Sequence, residues 1–261
     1  MHDADGVDDA TMLAFARETR LSETTFVQSA TVAEADYRNR IWTVGGELPF
    51  AGHPSLGTAV AVARARGVTA EVRYVQETGA GLQPIEVTLA GRGATASMLQ
   101  EPAIFGSEVN PADALRPLGL TAAAAEPDLA PRVVSTGLPQ LILPLRSVED
   151  LSQITPDFAA LSTLLEPHGA IGAYAACWDP ATGTAQARFF AHDPGIGEDP
   201  ATGSAAGPLC AYLHRYTGSG AVEITQGVQM GRPSRLLTEV VDDRIRVSGD
   251  IVVMIDGTVT L

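Results

Sequence analysis

The sequence predicts an α+β protein built by duplication, with two similar halves that each wrap a β-sheet around one buried helix. Three observations predict it. Glu47-Leu48-Pro49-Phe50-Ala51-Gly52-His53 and Glu198-Asp199-Pro200-Ala201-Thr202-Gly203-Ser204 share one pattern, Glu-x-Pro-x-x-Gly followed by a polar residue. Each runs into a small-residue segment, 54–66 or 203–216, that is apolar on nearly every face. A helix without a polar face is a buried one. The order strands, buried helix, strands then occurs twice, unlike the alternation of a Rossmann sheet.

The elements follow in order. Residues 8–20 carry acidic side chains in the first turn and apolar spacing that fits a helix. Strands are expected near 25–30 and 37–43, then the buried helix 54–66, then strands at 70–77, 83–89 and 94–99. Glu101-Pro102 and Asn110-Pro111 mark a crossing between domains. Beyond it come helix 111–118, strands near 131–136 and 140–145, and helices near 148–153 and 157–166. Strands near 171–178 and 185–191, buried helix 203–216 and β-rich sequence complete the chain. The expected domains are 1–105, joined by the C-terminal strand 252–261, and 106–251.

Composition narrows the function. The 261 residues are 45% hydrophobic, enough for one large core or two smaller ones. No apolar run approaches the ~18 residues of a membrane span, and no secretory signal pattern is present. A soluble, cytoplasmic protein is expected. The net charge of −14 argues against nucleic acid and anionic membranes as partners. The chain has no lysine, which excludes Schiff-base and ordinary pyridoxal-phosphate chemistry and a P-loop. His2, His53, His168, His192 and His214 lack zinc-hydrolase spacing, so no metal site is expected. Gly218-Ser219-Gly220 follows helix 203–216 as a turn, unlike a nucleophile elbow. Cys177 and Cys210 read as small buried hydrophobes. Carboxylates, histidine and backbone N–H groups remain, with no cofactor expected.

The two Gly-rich helix starts are candidate anion sites, because unpaired N–H groups and the helix dipole favour negative charge. Gly52, Ser55, Gly203 and Ser204 are therefore read as donors to a substrate carboxylate. Arg188 and Arg232 are either anion partners or surface salt bridges. His53 is either a donor to substrate or a helix cap. Asp199, before Pro200, is either functional or an N-terminal cap.

Four ordered segments carry a family likeness: Leu21-Ser22-Glu23-Thr24-Thr25-Phe26-Val27, Glu47 to Ala59, Glu198 to Leu209, and Gln226-Gly227-Val228-Gln229-Met230-Gly231-Arg232-Pro233-Ser234. They resemble the PhzF-like family, named for the phenazine-biosynthesis isomerase, within the diaminopimelate-epimerase-like superfamily. The resemblance spans essentially the whole chain. It implies that superfamily's fold, two pseudo-repeated domains each with a curved mixed sheet around a central helix, and an active site in the cleft between them. It implies a homodimeric biosynthetic enzyme, a cofactor-independent isomerase of a small carboxylated, ring-containing metabolite. By resemblance Glu23, His53 and Asp199 are its catalytic residues.

The superfamily's epimerases place a cysteine at each helix start, whereas this chain has Ala51-Gly52-His53 and Ala201-Thr202-Gly203 there. That disfavours an amino-acid epimerase or racemase and favours one shuttle, Glu23, working on one face. Leu21, Phe26 and Val27 are expected to form an apolar pocket that raises its pKa. Family members also carry a strand and a Gly-Asn-Pro turn ahead of the segment at Asp3. A late start or a missing edge strand is expected here, and a non-catalytic ligand-binding relative is the rival reading.

Overall fold

A computed structural model describes residues 1–91, 93–193 and 197–259. The chain divides into two units, Met1–Met98 with Ser248–Leu261, and Leu99–Val247. The crossings at 98/99 and 247/248 stand where the sequence reading drew 105/106 and 251/252.

The first unit runs α1 (Asp9–Thr19), β1 (Thr24–Gln28), β2 (Tyr37–Trp42), β3 (Glu47–Leu48), α2 (Gly52–Ala65), β4 (Glu71–Thr78), β5 (Gly81–Ala90) and β6 (Gly93–Leu99). Helix α1 starts because the Asp8 carboxylate accepts from the Thr11 N–H at 2.8 Å. It ends where Arg20 turns into the left-handed region. The sheet order is β1-β2-β4-β5-β6, with β3 hung on β2. Strands β2 and β4 are parallel. Alternation along β2 divides the two faces of the sheet. Tyr37 joins Leu56, Ala59, Val60 and Ala63 of α2 with Ile85, Val87 and Met98. Trp42 packs on the other side with Met12 and Ala16 of α1 and with Phe26.

The second unit runs β7 (Ile104–Glu108), α3 (Pro111–Leu115), β8 (Arg132–Ser135), β9 (Pro139–Pro144), α4 (Val148–Gln153), α5 (Phe158–Leu165), β10 (Gly172–Asp179), β11 (Thr184–Ala191), β12 (Glu198–Asp199), α6 (Gly203–Thr217), β13 (Ala221–Gln226), β14 (Ser234–Val241) and β15 (Arg244–Val252). Its sheet order is β14-β13-β11-β10-β9-β8-β7, with β12 hung on β11. Helix α6 packs Ala205, Leu209, Cys210 and Leu213 on Ile142, Tyr174, Phe189 and Ile224. Helices α3, α4 and α5 cover the opposite face, with Leu115, Leu151 and Leu161 in one cluster with Phe190 of β11. Both central helices are buried, as their lack of a polar face requires.

Three sequence expectations need correcting. Residues 104–108, read as part of the crossing, form strand β7 against β8. Helix 111–118 is a short α-helix followed by a 3₁₀ turn, Arg116–Leu118, whose Pro117 cannot continue the hydrogen-bond ladder. The C-terminal strand expected at 252–261 is the end of β15, whose last residues, from Ser248, belong to the first unit. Residues 253–259 form no strand, and Met254 and Ile255 are exposed. Residues 260 and 261 lie outside the described residues.

Candidate active site

The two Glu-x-Pro-x-x-Gly segments are built alike. In the first, the two-residue strand β3 pairs Glu47 with Trp42. Glu47 receives two hydrogen bonds from Arg40, each 2.7 Å, and Arg40 also donates to Asp9 at 2.8 Å. The bonds to Glu47 push the guanidinium pKa up. In the second, β12 pairs Glu198 with Phe190. Glu198 receives two bonds from Arg188, at 2.8 and 2.9 Å. Arg188 also donates to the carbonyls of Leu151 and Ile154. Each arginine stands two residues before the partner of its glutamate. Arg188 is therefore a buried structural fork, 6% exposed, and neither an anion partner nor a surface salt bridge. Arg232 is exposed.

Each fork delivers the chain to a helix without a side-chain cap. The N-cap of α2 is Ala51 and that of α6 is Thr202. The cap readings of His53 and Asp199 are thereby set aside: His53 is the second residue of α2, and Asp199 lies in β12. The first N–H groups of a helix have no intrahelical acceptor. Those of Gly52, Gly203 and Ser204 sit half-buried at the two starts. Ser55 differs. It is fully buried, its N–H donates to Ala51 O at 3.3 Å, and its Oγ has no hydrogen-bond partner among the described residues.

Glu23 and His53 meet. Nε2 of the imidazole stands 3.1 Å from Oε2 of the carboxylate, with 16% of the Glu23 side chain and 45% of that of His53 exposed. Oε2 is buried and receives no well-directed hydrogen bond among the described residues. Of the three residues named for an apolar pocket around Glu23, Val27 packs on the α2 side of the sheet and the other two do not. Leu21 is 60% exposed, and Phe26 turns to the α1 face. Two residues on from Glu23, within β1, Thr25 Oγ1 accepts from Thr58 of α2 at 2.8 Å.

Asp199 is held by its own turn, its carboxylate accepting a short hydrogen bond from the Thr202 hydroxyl. The turn is seated by the residue pair Gln226-Gly227. Gly227 has a φ of +81°, and a Cβ there would lie 2.4 Å from Arg232 O and 2.9 Å from Pro200 O. These supports went unnoticed in the sequence. The repeated glutamate of both motifs was the signal for the forks, since a carboxylate in a two-residue strand suits a bidentate arginine.

The two copies differ at one decisive point. Thr24 pairs with Trp42, and Ala173 pairs with Phe190, the two partners of the fork glutamates. The residues just before, Glu23 and Gly172, are thus counterparts. A Cβ on Gly172 would lie 2.3 Å from the Phe189 ring. The second copy has no room for a side chain where the first carries its carboxylate.

Cys177 and Cys210 take no part, and burial pushes both thiols up. Among the described residues, no group of three His, Cys, Asp or Glu side chains could hold a metal, and no helix is long and apolar enough to cross a membrane. Two surface cavities of the second unit, of about 510 Å³ beside Arg116 and His168 and about 290 Å³ beside Trp178 and Tyr216, include none of Glu23, His53 or Asp199.

An α+β protein with a duplicated sheet-and-central-helix unit and a glycine-rich turn at each helix start has the diaminopimelate-epimerase-like fold. A structure described as a probable proline racemase from Agrobacterium radiobacter shares it at 13% identity, with a TM-score of 0.63 over 95% of this chain and 80% of that one. Residues 1–257 match the family described as phenazine biosynthesis-like protein, PhzC-PhzF. Trans-2,3-dihydro-3-hydroxyanthranilate isomerase of Pseudomonas aeruginosa is 36% identical over 241 residues, 90% of this chain and 81% of its own. A structure described as a predicted epimerase from the same organism is 34% identical, with a TM-score of 0.81 over 98% of this chain and 92% of that one. The chain belongs to the phenazine biosynthesis-like family and is an isomerase of it.

Two predictions follow from the supports. Arg188→Met leaves Glu198 unpaired and two buried carbonyls without their donor. It should cost about 3–5 kcal/mol in urea unfolding, and a loss under about 1 kcal/mol would remove the fork from the account. Gly227→Ala, strained in φ and against backbone, should cost about 1–3 kcal/mol, read as a lowered melting temperature with the parent fold by circular dichroism.

Proposed function

We propose that the protein moves a proton between two carbons of a small carboxylated, unsaturated ring, with Glu23 as the only shuttle and no cofactor. The observation that carries this is the pairing of a largely buried Glu23 with His53, set against the filled position at Gly172. Relatives named as isomerases of trans-2,3-dihydro-3-hydroxyanthranilate, a carboxylated ring, supply the substrate class.

The step balances without a redox partner. The Glu23 carboxylate takes a proton from a ring carbon, and the C–H electron pair enters the conjugated system. The double bonds shift, and the proton returns to a second carbon from the carboxylic acid so formed. A carboxylate whose Oε2 lacks a well-directed donor is free to bond the moving proton, and general bases of this kind contribute about 10²–10⁴ in rate. His53, beside Glu23, is the donor to a substrate hydroxyl or carboxylate. An uncapped helix start suits a substrate carboxylate, whether at Gly52 of α2 or at Gly203 and Ser204 of α6, and Asp199 accepts from a substrate amino or hydroxyl group.

Glu23→Gln keeps the size of the side chain and removes the base. Turnover of trans-2,3-dihydro-3-hydroxyanthranilate should fall by about 10²–10⁴, while affinity for the unreactive 3-hydroxyanthranilate stays within a few fold in calorimetry. Near-parental turnover would end the single-shuttle reading. A shuttle closed to water also carries a label. Deuterium at the abstracted position should be retained in part at the new carbon, as read by mass spectrometry of the product. Inversion at a single carbon with solvent label would establish an epimerase instead.

A further inference from the structure

Gln226, the last residue of β13, is fully buried, and its carboxamide makes four hydrogen bonds. Nε2 donates to Asp199 O at 2.6 Å and to Thr202 Oγ1 at 2.9 Å. Oε1 accepts from the Thr202 N–H at 3.2 Å and from the Tyr174 hydroxyl at 2.9 Å. A carboxamide has two N–H donors and two acceptor lone pairs, so its capacity is filled. Three of the four bonds fall on the turn between Asp199 and α6.

The bonds form a directed chain. The Tyr174 hydroxyl donates to Gln226, Gln226 donates to the Thr202 hydroxyl, and that hydroxyl donates to the Asp199 carboxylate. Burial pushes the Tyr174 phenol up, which keeps it a donor. Hydrogen bonds aligned in sequence strengthen one another, and this series ends on the one charged group of the turn.

The first unit lacks the device. There Arg38 pairs with Glu77 in the parallel strands, so the next step brings Asn39 beside Thr78. In the second unit Ala187 pairs with Gln226. Asn39 and Ala187 each precede a fork arginine, and Gly79 follows Thr78 as Gly227 follows Gln226. Thr78 is thus the counterpart of Gln226, yet its hydroxyl donates to Gly81 O and not to the turn. The first turn carries Leu48 where the second carries Asp199. The glutamine clamp is present where the turn holds a carboxylate and absent where it does not.

We propose that Gln226 is a positioning residue for the reaction, orienting the Asp199 carboxylate and the first N–H groups of α6 toward the substrate through Thr202. This rests on the assignment of Asp199, Gly203 and Ser204 to substrate made above.

The test uses the full chain with Gln226→Glu and Gln226→Leu. The first keeps size and acceptors but has no donor when ionised; the second removes every bond. Both should lose about 10²-fold in kcat/KM, since small misplacements of reacting groups cost that much. Backbone amides of residues 199–204 should exchange faster with solvent while the rest of the second unit keeps its protection. The introduced carboxyl faces Asp199 and the Tyr174 phenol in a buried place, so burial and Asp199 keep it protonated to a higher pH than an exposed glutamate. Protonation restores one donor. The Gln226→Glu-to-parent ratio of kcat/KM should therefore rise as pH falls, and the Gln226→Leu ratio should stay flat. Parent-like turnover with unchanged exchange would overturn the proposal. So would an equal loss in both variants with no response to pH and protection lost throughout the unit, which marks a merely structural residue. Turnover by the parent protein reports on the proposed function, and only variant-to-parent ratios and exchange at 199–204 report on the clamp. If the parent turns over no substrate, exchange alone decides.

Discussion

A helix that begins without a cap must be held in place by something other than its own first turn. In each unit of this protein that something is an arginine–glutamate fork, Arg40 with Glu47 and Arg188 with Glu198. The fork glutamate belongs to a strand of only two residues, too short to hold register through its own ladder. The planar guanidinium fixes it by two parallel bonds, a geometry that lysine cannot supply. Arg188 extends the same support to the end of α4 through two backbone carbonyls. A buried pair of this kind adds little net stability over a packed hydrocarbon. What it supplies is position, and position is what an exposed helix N-terminus needs if its N–H groups are to meet a ligand.

The same scaffold, used twice, carries different chemistry in its two copies. Just before β1 the first unit presents Glu23 against His53, whereas Gly172 at the matching place is covered by the Phe189 ring. In the turns the difference is reversed, with Leu48 in the first copy and Asp199 in the second. Duplication has preserved the parts that shape each helix start, the fork and the glycine, and has let the polar groups diverge. A pair of identical bases would suit a reaction that enters and leaves by opposite faces of a carbon. One base with unlike companions suits a proton that returns to the ring from the group that took it.

The repeated Glu-x-Pro-x-x-Gly motif made much of this legible. Small apolar residues on nearly every face of 54–66 and 203–216 fit only a core, and most of both helices is there. Strand β7 was not legible because Ile104-Phe105-Gly106-Ser107-Glu108 lies between proline-marked turns and is mostly exposed, so its pattern carries no clear period. The pocket around Glu23 was misread for a related reason. Leu21 and Phe26 are neighbours in sequence, but a strand sends adjacent side chains to opposite faces and a loop residue obeys neither.

Sequence alone determined the duplicated α+β plan, the burial of the two central helices, the absence of lysine chemistry and the identity of the chemical groups at each turn. These are local properties, set by composition and by periodicity along the chain. Only the tertiary structure decided which arginine holds which glutamate, that Gln226 clamps the Asp199 turn from 27 positions away, and that the Phe189 ring occupies the place where a second carboxylate could have stood. Such pairings depend on strand register and on the volume left between packed side chains, and neither is written in any short stretch of residues.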